Sequence, residues 1–532
     1  MSRNQKWIVV VFFLVYLVIG LMVVDDYGIS WDEATQRRNG LISLDHIIKT
    51  IGLDWELSMP DVNLNTSGGR QYTVLFPITA AFLERILGLE DSFRARYMMR
   101  HVMVFLLFWT ACVYLFRLLF LRFRKISTAL LGTCLLIFSP RIFAHSFYNP
   151  KDIILLSFYV ISVFYLIRFF ERPRLGRAIA FALSTAFVVN SRILGCIVPA
   201  YAVGLFLLLL TISFVTKSGQ TQLPKPSALL RFFPIYLIGA TFLSISFFPF
   251  AWAKPIENTT EAFTLMANFP GISQSLYLGG VIQTQHTPWH YPYVWMGISI
   301  PIPFLMLFGF GLVLLFKNVW NTIRQSNLIN SFEQVVDWTA FALFAGPLLA
   351  IFLFQSNIYN GWRQLYFIYP MMVILASLGI HQLLSGTYKN YFFIILLGMI
   401  LSVGSWMIQN HPYQQVYFNA FAGKQRVDRF DLDYWGLAYK QAMEELYRRD
   451  TSDIIQVKCA NYVCEENYRF LPDKIKERVH LRYQPQYGEY YLSNFRRPKQ
   501  YNKYKTGQYP YAFPYFFIEV DETPIIGVYR MN

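Results

Sequence analysis

The chain has 532 residues, 55% of them hydrophobic and only 15% charged, with a net charge of +15. A soluble globular protein carries about 25% charged residues, so this composition excludes a string of water-soluble domains; lipid has to solvate much of the surface. In a soluble protein the basic excess would point to nucleic acid, but here it sits in short clusters between apolar runs, the pattern of membrane orientation and lipid contact, and nucleic acid is set aside.

Apolar length and the Lys/Arg bias of the connecting loops predict about eleven transmembrane helices. Arg3 and Lys6 precede an apolar run at 7–24. No small-residue cleavage site follows it, only Asp25, Asp26 and Tyr27, so the run reads as an uncleaved first span. The second span, 99–120, ends in Arg122, Arg124 and Lys125, which marks that end as cytoplasmic. The third (127–144) leads out. The fourth (152–169) returns to Arg168, Arg172, Arg174 and Arg177. A short fifth (178–191) exits near Arg192, and the sixth (195–215) returns to Lys217, Lys225 and Arg231. The seventh (233–251), eighth (295–316), ninth (338–355), tenth (366–384) and eleventh (391–408) complete the bundle.

An odd number of spans with the N-terminus inside places the tail outside. The expected organisation is a membrane domain, 1–408, and a small extracytoplasmic α/β domain, 409–532. In the outer loop 25–98, the stretch from Tyr72 to Leu89 is broken by Pro77, Glu84 and Arg85 and reads as surface helices. The loop 252–294 ends in an aromatic segment from Pro288 to Tyr293 that suits a membrane belt. The tail predicts a helix at 434–449 and strands at 453–458, 478–483, 489–495, 514–520 and 525–530, with Asp521 to Pro524 as a hairpin turn. Cys112, Cys134 and Cys196 lie in apolar runs as small hydrophobes; Cys459 and Cys464 can pair if the tail is outside the cytoplasm.

Ionisable groups at membrane boundaries are costly, and the informative question is whether they share a side. This topology brings Asp32, Glu33, His145, Asn149, Lys151, Asp152, Arg192 and Arg363 to the outer face. Asp32 and Glu33, after Trp31, suit a general base in a low-dielectric setting; the plain alternative is a helix start with Ser30 or Asp32 as cap. Asn149-Pro150-Lys151-Asp152 opens the fourth span, and its Lys can meet a phosphate; ordinary helix-start chemistry explains the same residues. Arg192 and Arg363 offer planar forks for phosphate oxygens or snorkel to headgroups. His145, Asn149 and Trp31 would line the same pocket. Asp431-Leu432-Asp433 reads as a turn before the tail helix. No metal-type Cys/His spacing occurs.

These residues in this order resemble the GT-C superfamily of membrane glycosyltransferases, and among them bacterial members of glycosyltransferase family 39, the protein O-mannosyltransferase-like proteins that include the aminoarabinose transferases of lipid A. Trp31-Asp32-Glu33 looks like the acidic pair after the first span. Arg70 to Arg100 is similar to the first-loop surface helices. Ser139-Pro140-Arg141 through Asp152 resembles the segment with the second Asp. Gly361 to Tyr366 with Tyr369-Pro370 looks like the Arg-aromatic-Pro start of a late span. Asn410 to Tyr413, Tyr417 to Asn419 and Asp433-Tyr434-Trp435-Gly436 resemble the start of the C-terminal region. Lys151 before Asp152, and Tyr434 within the usual Asp-Trp-Gly, depart from the pattern.

The resemblance implies an inverting glycosyltransferase of a bacterial inner membrane. It would move a sugar from a polyprenyl-phosphate donor to a glycan, lipid or protein acceptor at the outer face. Asp32 would be the base, with Glu33 and Asp152 beside it, and Arg363, Arg192 and Lys151 would hold the donor phosphate. A lipid phosphate is already a leaving group, so no cofactor is demanded, although a divalent metal stays an option. The rival expectations are a flippase or transporter of polyprenyl-linked lipid and an oligosaccharide ligase using a polyprenyl diphosphate.

Overall fold

The computed structural model describes the chain except residues 56, 58–61, 216–223, 268–273, 325–328, 330, 483–488, 497 and 532. The expectations at Lys217 and for the end of strand 478–483 lie outside the described residues.

Among the described residues nine helices are long and apolar enough to cross a membrane, or ten if a bent pair counts as one span. This is an integral multi-pass membrane protein. The count falls short of eleven at one place. The expected fifth span is helix Leu175–Val189, only 15 residues, or about 22 Å against a hydrocarbon core of roughly 30 Å. It still carries the chain between the ends of the bundle, because Arg192 just beyond it pairs with Asp152, the first residue of the preceding helix Asp152–Glu171.

Prolines set the other departures. The third span is two helices, Ile126–Ile137 and Pro140–Tyr148, bent by 67°. Pro140 can begin a helix but cannot continue one, and the bend swings His145 and Asn149 into the bundle end. The expected eighth span is likewise divided, into Tyr291–Ser299 and Ile302–Arg324, with Ile300 extended before Pro301. Helix Pro226–Ser246 starts earlier than expected, at a proline in its first turn, and stops before Pro249. At the N-terminus, Ser2 and Gln5 form a reciprocal capping box that opens Arg3–Val23.

The span Arg363–Leu383, which includes helix Tyr369–Leu383, is the most enclosed of the candidate spans among the described residues, with 94% of its apolar window buried. It lies against Ile302–Arg324 so closely that a Cβ on Gly311 would meet the Leu375 carbonyl at 2.0 Å. The first long loop holds helices Glu33–Ile51 and Leu75–Ile86. They are tied through Glu84, which accepts from Arg37 at 3.0 Å and from Arg100 of helix Phe93–Phe123 at 2.8 Å.

The C-terminal region carries a five-stranded mixed sheet in the order Val479–Leu481, Ile455–Cys459, Tyr490–Ser493, Thr523–Arg530, Pro514–Val520. The last two strands form the expected hairpin, with Asp521 and Glu522 at φ 46° and 60°, the left-handed pair of a two-residue turn. Helix Ala438–Arg449 buries Ala442, Met443 and Leu446 in the core beside the sheet. Cys459 and Cys464 form a disulfide, and Cys112, Cys134 and Cys196 are free.

Candidate active site

Asp32, Asp152, Arg192 and Arg363 meet at the end of the bundle that carries the C-terminal region. Each arrives by a different local device. Asp32 stands at the start of helix Glu33–Ile51, but its side chain makes no capping bond. Glu33 bonds backward instead: its Oε1 accepts from the Ser30 N–H at 2.7 Å, while Oε2 faces His101 Nε2 at 2.9 Å. Glu33 therefore turns away from Asp32 into a buried structural pair.

Asn149 is the start signal of helix Asp152–Glu171. Its Oδ1 accepts from the backbone N–H of Lys151 at 3.2 Å and of Asp152 at 2.9 Å. Its amide nitrogen donates to Asp152 Oδ2 at 3.1 Å and lies 3.0 Å from His145 Nδ1. The helix-start chemistry is thus real, and it also aims the Asp152 carboxylate inward. His145 is fully buried; its Nε2 lies 3.3 Å from the Trp435 indole nitrogen and 3.5 Å from the Tyr366 hydroxyl.

Arg363 follows a tight turn at Asn360 and Gly361, with φ of 55° and 72°. Glycine suits that left-handed position, and the Gly361 N–H donates to the Tyr291 hydroxyl at 3.1 Å. The turn folds Arg363 inward. Its Nη1 donates to Asp152 Oδ2 at 2.8 Å and to Asp32 Oδ2 at 3.2 Å, with the side chain only 3% exposed. A snorkelling arginine would reach for water; this one lies 4.6 Å from the Trp435 ring centre. Arg192 donates to the other oxygen of Asp152.

Lys151 completes the group differently. Among the described residues its ammonium has no hydrogen-bonding or ion-pair partner, and it lies 5.1 Å from the Tyr72 ring centre. The surrounding protein strips water from it, and Arg192 adds repulsion. Together they bring its pKa down to about 8, although Asp32 pulls the other way. Three cations (Lys151, Arg192, Arg363) thus face two carboxylates (Asp32, Asp152), a surplus of one positive charge. The Asp32 side chain is 23% exposed and that of Asp152 1%. Among the described residues no group of three or more His, Cys, Asp or Glu is placed to hold a metal.

The C-terminal region builds the outer wall. Asn467 brackets Ile29, accepting its N–H and donating to its carbonyl, both at 2.9 Å. Lys440 donates to the Asp25 carbonyl at 2.8 Å, and the Tyr462 hydroxyl donates to the Trp31 carbonyl. These bonds hold the segment that presents Asp32. Arg496 stacks over Trp31, 3.7 Å from the ring centre. Asp433 accepts from the N–H groups of Leu437 and Ala438 at 3.3 and 3.0 Å, the expected turn before the tail helix. Beside it, a cleft of about 210 Å³ is lined by Asp431, Tyr434, Asn494 and Arg496 among others. Burial raises the Asp431 carboxyl to about 6, opposed by the Leu276 N–H and the charge of Arg496.

Sequence reasoning missed Arg496 and Tyr462 altogether and gave Tyr72 and Trp435 no site role. Trp435 stood within a quoted motif, so a signal existed; nothing local marks Arg496.

No protein-family model matches the chain, and no curated protein matches it. Among solved structures it is similar to the crystal structure of ArnT from Cupriavidus metallidurans bound to undecaprenyl phosphate. The TM-score is 0.48 and the identity 11%, with 98% of each chain covered.

Proposed function

We propose that this protein is an inverting glycosyltransferase of the GT-C type that takes a hexosyl or pentosyl group from a polyprenyl-monophosphate donor at the extracytoplasmic face. The acceptor would be a hydroxyl on a glycan, lipid or protein. The observation that carries this reading is the cluster itself: one partly exposed carboxylate, Asp32, beside three cations of which Lys151 has no anionic partner among the described residues.

Asp32 accepts the proton of the acceptor hydroxyl. The acceptor oxygen bonds to the anomeric carbon as the bond from that carbon to the phosphate oxygen breaks. The electron pair leaves with the polyprenyl phosphate, and the proton passes from Asp32 to water. Charge grows on the leaving phosphate, and fixed cations in a half-buried site stabilise it more than water does. Lys151 is the cation freest to move onto that phosphate. Arg363 also carries a buried Nε donor with no partner among the described residues. Asp152, enclosed by Arg192, Arg363 and Asn149, orients the cations. The Cys459–Cys464 disulfide supports an oxidising compartment for the C-terminal region.

Binding of a polyprenyl monophosphate to the purified protein tests the phosphate site. Lys151→Met and Arg363→Ala are expected to weaken it, and Arg363→Lys to restore it only in part, because Lys lacks the fork. Unchanged affinity in both Lys151→Met and Arg363→Ala, or preference for a diphosphate, would turn the reading toward a ligase or transporter.

A further inference from the structure

The bundle end opposite Asp32 holds a second cationic feature. Helix Asp152–Glu171 begins in the carboxylate cluster, and Arg168 lies roughly 24 Å further along its axis at about 1.5 Å per residue. There a cavity of about 550 Å³ opens between this helix, Phe93–Phe123 and Leu175–Val189, lined by Arg117, Phe164, Tyr165, Arg168, Arg174 and Arg177.

Three arginines at this end have anionic partners. Arg122 forms a two-pronged pair with Asp337, both bonds 2.6 Å. Arg168 and Arg177 share Glu171, at 2.6 and 3.3 Å. Among the described residues Arg117 and Arg174 have no carboxylate partner.

Arg117 is set apart by depth. It precedes Arg122 by five positions, so its backbone lies about 7.5 Å deeper in the bundle. Its guanidinium rests over the rings of Tyr114 and Phe164, 5.0 and 4.7 Å from their centres. Tyr114 lies one turn further from the basic end of its helix, and Phe164 one turn further than Arg168 on its own. The charge, at an exposed position, leans away from the basic end along its helix, whereas a snorkelling side chain would extend toward water. A cation at that depth without a counter-ion is costly.

Two further features surround it. Gly176, in the first turn of Leu175–Val189, also lines the cavity; the first N–H groups of a helix have no intrahelical acceptor and favour anions. From the same turn Leu175, Ile179 and Leu183 run along one helix face, 50%, 53% and 39% exposed. Their four-residue spacing makes an apolar strip leading from the cavity along the membrane-facing surface.

We propose that this cavity binds the phosphate headgroup of an anionic membrane phospholipid, with Arg117 and Arg174 on the phosphate and an acyl chain along Leu175, Ile179 and Leu183. Free inorganic phosphate shares the headgroup chemistry but has nothing to lay on the strip.

The full-length protein in nanodiscs of phosphatidylglycerol and phosphatidylcholine tests this, with retained lipid counted by native mass spectrometry. The wild type is expected to keep phosphatidylglycerol. Arg117→Gln with Arg174→Gln should lose it by about tenfold, the scale of one to two charge contacts. Arg172→Gln, at an exposed position outside the cavity, should retain it. Should the double variant not fold, Arg174→Gln alone, at another exposed position, is expected to show a smaller loss. Retention unchanged by the cavity variants, equal loss in Arg172→Gln, or displacement of the lipid by inorganic phosphate would each overturn the proposal.

Discussion

Asp32 and Arg363, 331 positions apart in the chain, meet at 3.2 Å, and the same guanidinium nitrogen reaches Asp152 at 2.8 Å. One cation thus bridges two carboxylates with unequal access, since the Asp32 side chain is 23% exposed and that of Asp152 1%. Only Asp32 is open to an incoming hydroxyl. Asp32→Asn is expected to cut turnover by at least ~100-fold, the scale of losing a general base, with normal expression and donor binding. Asp152→Asn should instead cost roughly 3–5 kcal/mol of stability, because it strips a buried ion group of its anion. A transfer assay and thermal unfolding in detergent separate the two. Near wild-type turnover in the Asp32 variant would move the base elsewhere.

Glu33 sits next in sequence and does different work. Its two oxygens are taken by the Ser30 N–H and by His101. Glu33→Gln is expected to leave turnover within a few-fold of wild type and to lower stability by about 1–3 kcal/mol, the cost of a weakened buried polar contact. Turnover as low as in Asp32→Asn, at unchanged melting temperature, would give Glu33 a chemical role.

On the proposed reading, Lys151 makes donor binding sensitive to pH. Its pKa is brought down to about 8 by burial and by Arg192, so the ammonium is charged below that value and neutral above it. A phosphate favours the charged form. Donor affinity should therefore be full near neutral pH and fall as pH rises past 8, seen as a rising donor KM with kcat less affected. Lys151→Arg stays charged and should flatten the profile; Lys151→Met should be weak and flat throughout. A Met variant that follows the wild-type curve would assign the titration to another group.

The disulfide and the shared bundle end bear on orientation. A reporter fused after Asn532 is expected to be active only in the extracytoplasmic compartment, and alkylation of whole cells should find Cys459 and Cys464 oxidised. Cytoplasmic reporter activity would put Asp32 on the side where nucleotide sugars are available and remove the case for a lipid-borne donor.

Much of this arrangement is legible in the sequence, for a physical reason. Spanning helices are specified locally by apolar length, so ten of the eleven expected segments overlap helices long and apolar enough to cross a membrane, the third as a bent pair. Two of the expected helices break at Pro140 and Pro301, where proline's missing N–H favours a new start. Loop charge bias fixed which ends align, and that sufficed to gather Asp32, Asp152, Arg192 and Arg363. What stayed hidden depends on tertiary packing. Helix Glu33–Ile51 is polar on average and lacks an apolar run, so only its first residues signalled it. Arg496 reaches Trp31 because the C-terminal sheet packs over the bundle end, and no local pattern encodes that contact. The roles of Asp32, partly exposed beside Arg363, and of Glu33, buried against Ser30 and His101, could not be told apart by spacing, since either acid can serve a helix start.

The donor decides the central claim. Purified protein offered a labelled polyprenyl-monophosphate sugar, a polyprenyl-diphosphate sugar and a nucleotide sugar separately, each with a crude acceptor fraction, should form labelled product from the monophosphate donor alone, and Asp32→Asn should abolish it. Product from the nucleotide sugar, in a preparation free of polyprenyl phosphate and of the synthase that would charge it, would contradict the account.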